Sequence, residues 1–338
     1  MKAVLSERWP GVLAAISLCL ALAACGGGGG GGNSGGGSTP RADDTATVTG
    51  AGTPTSGLFS PGTRVEISSG NAIEYSSRFT FSPIGGRAMI AAFPRDRYVN
   101  NRLVINVDQR GLPRTAQLFA IGHRIELDTA AADTVAFRTL DPRFVGIERR
   151  AGPTARHAFL FGGNPRALEG IYFADPAAFD LQHLTFGMWA WLPNSVDLDV
   201  GLGAFGRLTS LDRMPRTGNA VYRGGLLGAA YLATPAASAV DVSADVRLDA
   251  NFDDGDMVLR STATRSLTDN APLPHLDIDG AALRIANFEF RGEAATRSGW
   301  TGNVGGRFYG PDAEEVGGIF DLRGIGLERY VAAFGATR

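Results

Sequence analysis

The sequence predicts an all-β protein, on three observations. Val246, Leu248, Ala250 and Phe252 alternate with Arg247, Asp249 and Asn251, a period of two that only a half-buried strand explains. The chain has 46 glycines in 338 residues, and those beyond the N-terminal tract are dispersed, a density that punctuates short strands and disfavours long helices. No long stretch has a 3.6-residue period; only Pro176–Phe179 and Pro311–Val316 suit a single helical turn.

The N-terminus reads as export machinery. Met1–Ala24 carries Lys2 and Arg8 before the apolar run Val12–Ala24, too short to cross a hydrocarbon core of roughly 30 Å as a helix. It has the layout of a secretory signal peptide. Its end, Leu22-Ala23-Ala24-Cys25, resembles the lipobox of bacterial lipoproteins, which implies a lipid anchor on Cys25. Gly26 follows Cys25; it is not the aspartate that signals inner-membrane retention in enteric lipoproteins, so the resemblance implies the outer membrane. Cys19 falls in the discarded segment, and no intramolecular disulfide is expected in the mature chain. Residues 25–57 are dominated by Gly26–Gly32 and Gly35–Gly37, with no hydrophobic pair before Leu58-Phe59; they read as a flexible tether spanning roughly 30 Å.

In the body, the segments Arg64–Ile67, Arg78–Phe81, Arg102–Val107, Gln117–Leu127, Thr134–Phe137, His157–Phe161 and Leu181–Trp191 read as strands. Val246–Phe252, a tight turn at Asp254-Gly255 and Met257–Thr264 make a hairpin. Trp300, Gly302, Val304, Gly306 and Phe308 fall on one face and Thr301, Asn303, Gly305, Arg307 and Tyr309 on the other, as where a curved sheet closes. Tyr330, Ala332, Phe334 and Ala336 repeat the alternation to the C-terminus. A soft boundary is placed near Asp180, dividing a β-rich part, 58–180, from 181–338.

The stretch Gly306-Arg307-Phe308-Tyr309-Gly310-Pro311-Asp312-Ala313-Glu314-Glu315-Val316-Gly317-Gly318-Ile319-Phe320 resembles the barrel signature of the transferrin-binding protein B family, G-x-F-Y-G-P-x-A-x-E-x-G-G-x-F. Every fixed position is matched: Gly306, Phe308, Tyr309, Gly310, Pro311, Ala313, Glu315, Gly317, Gly318 and Phe320. Pro215–Gly224 resembles the family's P-x-T-G-x-A-x-Y-x-G, and Phe334–Arg338 its closing F-G-A-x-R. The resemblance, over about Leu181–Arg338, implies an antiparallel eight-stranded β-barrel preceded by a smaller β-rich handle domain. The family's namesake has two lobes with a signature in each; this sequence has one. Single-lobe relatives include captors of haem or haemoglobin and binders of complement regulators. The signature is structural in character: Pro311 suits the first position of a helical turn whose positive end favours Asp312, Glu314 and Glu315, and Gly317-Gly318 lets the chain re-enter the sheet.

Other chemistry is suggested by spacing and fails on context. Gly201-Leu202-Gly203-Ala204-Phe205-Gly206 fits G-x-G-x-x-G, but Arg207–Arg213 runs into Pro215 where a helix is needed, so it reads as a barrel strand. Asp249–Asp253 opens like a calcium loop, yet the sixth position is Asp254 and the twelfth Arg260; Asp253, Asp254 and Asp256 read as a solvated hairpin tip. The carboxylates of neighbouring Glu314 and Glu315 diverge on any regular backbone and cannot flank one bond. His123, His157, His183 and His275 show no metal spacing, and no nucleophile has a partner, so no catalytic or metal-ligating residue is assigned and no enzymatic activity is expected. Trp189, Trp191, Phe205 and Tyr222 lie at strand alternation and read as core. A candidate binding loop is Pro94–Asn101, where Arg95, Arg97 and Tyr98 supply residue types enriched at interaction hot spots.

Charge excludes one partner class. Lys and Arg number 32 against 34 Asp and Glu, a net charge of −2, without the cationic excess that gripping a nucleic-acid backbone requires. The expectation is therefore a non-enzymatic, surface-displayed outer-membrane lipoprotein that binds a host protein of the transferrin, haemoglobin or complement-regulator class. An outer-membrane receptor or exporter is a further expected partner class, and no obligate cofactor is expected. Direct haem capture and an adhesive or structural envelope role stand as alternatives.

Overall fold

The computed structural model describes residues 46–49, 62, 64–67, 72–81, 88–90, 102–120, 123–150, 159–161, 164–191, 197–232, 238–326 and 328–338. The signal segment Met1–Ala24, Cys25, His157 and the loop bearing Arg95, Arg97 and Tyr98 lie outside the described residues.

Strands dominate the described chain. The first group is β1 (Ala46–Thr49), β2 (Arg64–Ile67), β3 (Ala72–Phe81), β4 (Ala88–Ile90), β5 (Arg102–Val107), β6 (Pro113–Ala120) and β7 (His123–Asp128). Next come β8 (Thr134–Arg138), β9 (Phe144–Arg150), β10 (Phe159–Phe161), β11 (Asn164–Ala174), β12 (Leu184–Trp191) and β13 (Asp197–Gly206). The last eight are β14 (Asn219–Leu232), β15 (Ser238–Asn251), β16 (Asp256–Ser266), β17 (Ile278–Ala286), β18 (Glu289–Ala295), β19 (Thr301–Tyr309), β20 (Glu315–Arg323) and β21 (Arg329–Thr337). Among the described residues, helix is confined to single 3₁₀ turns, Pro176–Ala178 and Pro274–Leu276; in both, proline sits where its missing N–H costs no bond. Asp175 caps the first by accepting from the Ala177 amide at 3.2 Å.

Two sheets precede the barrel. One is five-stranded in the order β1-β2-β5-β6-β7; the other has eight strands, with β4-β3-β13-β12-β11-β9-β8 along its path and β10 paired to β11. The barrel closes in sequence order from β14 to β21, where β21 pairs antiparallel with both β20 and β14. Full closure removes the open edges of a sheet.

Packing follows the alternation of each strand. Leu103, Ile105, Leu118, Ile125 and Leu127 of the five-stranded sheet bury against Ile147, Ile171, Phe173, Trp189 and Phe205 of the eight-stranded sheet. The opposite face of the latter, with Tyr172, Leu184, Phe186, Met188, Leu202 and Ala204, packs on Leu227, Ala229, Ile319, Val331 and Ala333 of the barrel wall. The barrel interior is filled by side chains, Tyr222, Leu226, Leu248, Phe290, Phe308, Phe320, Tyr330 and Phe334 among them. A strand buried on both faces reads as an apolar run, and β12, Leu-Thr-Phe-Gly-Met-Trp-Ala-Trp, is such a strand.

Five expectations are corrected here. The boundary near Asp180 is displaced: β12 and β13 pair with β11 and β3 in the eight-stranded sheet, and the barrel begins at Asn219. Gly201–Gly206 is accordingly a strand of that sheet, where Gly201 gives Trp189 room to lie flat, and not a barrel strand. The tether assigned to 25–57 is interrupted by β1, whose Ala46–Thr49 pair with Ile67–Arg64; the β-branched Thr-Val-Thr needs only an edge to add to. Pro311–Val316 forms no helical turn: Ala313 takes a left-handed φ of 58° and β20 starts at Glu315. Gln117–Leu127 also divides, into β6 and β7.

Candidate functional site at the seam between handle sheet and barrel

The signature residues sort by strand parity into two jobs. Gly306 and Phe308 on β19, and Gly318 and Phe320 on β20, point into the barrel. The Phe308 ring meets Tyr222, Phe252 and Phe290 at centroid distances of 6.2, 5.7 and 5.6 Å. Phe320 stands edge-on to Tyr330 at 4.8 Å. A Cβ on Gly306 would lie 2.2 Å from the Phe290 ring, and one on Gly318 2.6 Å from Phe334, so the glycines are the space those rings occupy.

The other parity faces the handle sheet. Tyr309, predicted on the outward face, is fully buried, and its hydroxyl donates to the Ala204 carbonyl at 3.3 Å. Gly317 lies under Ala204, Tyr309 and Leu184. Gly310, with φ of +88°, turns the chain so that its amide donates to Arg207 O at 2.8 Å, while Thr209 Oγ1 donates to its carbonyl at 2.7 Å. Pro311 is exposed at the turn. The carbonyl of Ala313 accepts the Tyr222 hydroxyl at 2.8 Å, tying the turn to the first barrel strand.

Glu315 is the centre of this seam. Its carboxylate is 1 % exposed and accepts the amides of Gln182, His183 and Leu184 at the start of β12, the His183 and Leu184 contacts to Oε2 measuring 3.0 and 2.9 Å. Burial pushes the carboxyl up to about 7, against the pull of those three donors. Glu314 turns away: its Oε2 accepts the Asp312 amide at 2.8 Å, so the two carboxylates do separate work, as their adjacency requires. His183 sits against Gly310, and burial holds its imidazole below the usual histidine range.

A second tie across the seam was invisible in the sequence. Arg143, after the β8–β9 turn, donates to Asp141 through Nε at 2.9 Å and Nη2 at 2.7 Å, and reaches Asp245 on β15 at 2.6 Å. Ser243 Oγ donates to Asp141 at 3.0 Å. Burial works against the Asp141 charge, yet the Arg143 guanidinium and the Ser243 hydroxyl hold its carboxyl below the ordinary value. The partners are 102 residues apart, and no local pattern signals such a pairing.

The remaining sequence candidates fall elsewhere. Trp189, Phe205 and Tyr222 are core, and Trp191 is half-buried. Asp253 accepts the Gly218 amide at 3.0 Å, Asp254 accepts from Asn251 at 2.7 Å and Asp256 pairs with Arg284, so each hairpin-tip carboxylate is held by its own surroundings. No cluster of metal-ligating side chains occurs among the described residues. Among them, too, no helix is long and apolar enough to cross a membrane.

A closed eight-stranded antiparallel barrel, docked through one wall on a β-sheet handle, defines a β-barrel lobe. Residues 214–338 match the sequence model of the family described as the C-lobe and N-lobe beta barrels of Tf-binding protein B, and this part of the chain has a barrel like those of that family. Among solved structures, a single-substitution variant of transferrin-binding protein B from Haemophilus parasuis Hp5 is 14 % identical, with 80 % of this chain and 77 % of that one covered and a TM-score of 0.39. Isotype 1 transferrin-binding protein B from serogroup B Neisseria meningitidis is 17 % identical, covering 82 % of this chain and 58 % of that one at a TM-score of 0.37. The N-lobe of lactoferrin-binding protein B of Moraxella bovis is 14 % identical, covering 46 % and 76 % at 0.33. No curated protein matches the chain.

Proposed function

We propose that this protein is a non-enzymatic lipoprotein, anchored in the outer membrane through Cys25 and displayed at the cell surface, that binds a host protein carrying iron or haem, or a complement regulator. The observation that carries the reading is the match of residues 214–338 to the barrels of the transferrin-binding protein B family. The described seam supports a binding scaffold: its polar groups satisfy one another, and the loops at the barrel ends are left for recognition, where binding residues concentrate. Arg95, Arg97 and Tyr98 are the proposed contacts from the handle.

The test is capture. The immobilised protein is exposed to host serum and red-cell lysate, with and without iron loading, and retained proteins are identified by mass spectrometry. Selective retention of transferrin, lactoferrin, haemoglobin or a complement regulator is the expected result, weakened by Arg97→Ala and Tyr98→Ala. A blank, with a Soret shift on haem titration, overturns the protein-partner reading in favour of direct haem capture; a blank without the shift favours the envelope role. Cys25→Ala should release the protein from membranes, and globomycin, which blocks lipoprotein signal cleavage, should change its mobility.

A further inference from the structure

We propose that a polar cleft on the outward face of the five-stranded sheet binds a neutral, hydroxyl-rich glycan terminus of one or two sugar rings. The cleft has a volume of about 500 Å³, in the range of small-ligand sites. Its floor is one cross-strand row: Arg64 on β2 stands opposite Asn106 on β5, Asn106 opposite Thr115 on β6, and Thr115 opposite Asp128 on β7. Strands about 4.8 Å apart make this row roughly 14 Å long. The β5–β6 turn, with Asp108 and Gln109, and the neighbouring Arg114 complete the lining.

The row is rigid because the alternate residues beneath it, Val65, Ile105, Ala116 and Leu127, are buried against the eight-stranded sheet. Asn106 Nδ2 donates to Thr115 Oγ1, which orients the amide and leaves its carbonyl oxygen as an acceptor. Asp108 Oδ1 accepts the amides of Arg110 and Leu112, at 2.8 and 2.9 Å, and Asp128 Oδ1 that of Ala130 at 2.9 Å. The second oxygen of each carboxylate and the Arg114 guanidinium have no partner among the described residues.

Guanidinium, amide, hydroxyl and carboxylate thus follow one another along the floor, donors beside acceptors, which is what sugar hydroxyls, each able to donate and accept, require. Val107 is the one apolar side chain in the lining, which disfavours a lipid tail or a stacked base. Arg64 is already paired with Glu66 at 3.0 Å, which leaves Arg114 as the one other arginine in a lining that also holds Asp108 and Asp128, so a sulfate or phosphate would meet carboxylates as well as a cation.

The site is independent of the proposed host-protein partner. Saturation-transfer NMR on the whole protein in detergent, with N-acetyllactosamine, 3′-sialyllactose and inorganic sulfate as separate probes, tests it. Transfer to the N-acetyllactosamine rings is expected, unaffected by sulfate. Gln109→Ala and Arg114→Ala, both exposed, should each weaken binding about fivefold, the worth of one hydrogen bond, at an unchanged melting temperature. No transfer to N-acetyllactosamine, transfer equal in both variants, or transfer to 3′-sialyllactose alone with sulfate competing would overturn the proposal.

Discussion

Gly306 and Glu315 show how single residues set this fold. A side chain on Gly306 meets not only the Phe290 ring but the Gly317 carbonyl, 2.5 Å from the ideal Cβ, and a backbone atom in a closed ladder cannot step aside. Gly306→Val should therefore cost about 1–3 kcal/mol by overpacking, read as a lower denaturant midpoint with unchanged slope. Glu315 makes a pH prediction whose sign runs against the usual carboxylate. Its folded value lies near 7, above the ordinary 4.5, so the fold favours the protonated form. Its contribution is intact below about 4.5 and is lost as pH rises to about 7, by up to roughly 3 kcal/mol. Glu315→Gln should flatten the stability profile across that window in thermal melts; an unchanged slope would assign the dependence to other groups. Asp141 works oppositely and at lower pH, since its carboxyl is held down and its stabilisation disappears on acidification below its ordinary 3.8.

Between elements, the seam depends on contacts far apart in sequence. Removing the Arg143 side chain would leave Asp141, 6 % exposed, with only the Ser243 hydroxyl and the backbone amide of residue 143 for its charge. Arg143→Ala should destabilise by about 2–3 kcal/mol, and a double-mutant cycle with Ser243→Ala should show coupling, because both groups serve one carboxylate. At the C-terminus, β21 is paired along both sides, with β14 and with β20. Deleting Phe334–Arg338 removes a fully buried phenylalanine and opens the ladder on two flanks. The expected loss is at least about 10 °C in melting temperature; a truncated protein melting like its parent would contradict closure by this strand.

For the whole molecule, the layers share apolar surface rather than merely touching. The eight-stranded sheet buries one face on the five-stranded sheet and the other on the barrel wall, so neither neighbour can leave without exposing core. A large apolar interface couples the stability of the parts it joins. Calorimetry should accordingly record handle and barrel unfolding in one transition, and two well-separated transitions would mean that the seam contributes little.

Much of this was legible in the sequence, and the limits have a common cause. Alternation along Val246–Phe252 and Tyr330–Ala336 announced barrel strands, and the match from Gly306 to Phe320 announced the barrel, because side-chain parity and the room a glycine leaves are local properties. Tyr309 and Arg307 share one parity and both are buried, Tyr309 because the handle sheet packs there and Arg307 in a pair with Glu289. The same packing drew β12 and β13, read as barrel, into the handle, and made Glu315, read as an acid at the start of a helical turn, a buried clasp on Gln182–Leu184. The sequence by itself determined the β class and the closing strand. The tertiary structure decided which sheet each strand joined and which outward face met a partner, since strand pairing and layer contact depend on residues about a hundred positions apart, and no local pattern encodes them.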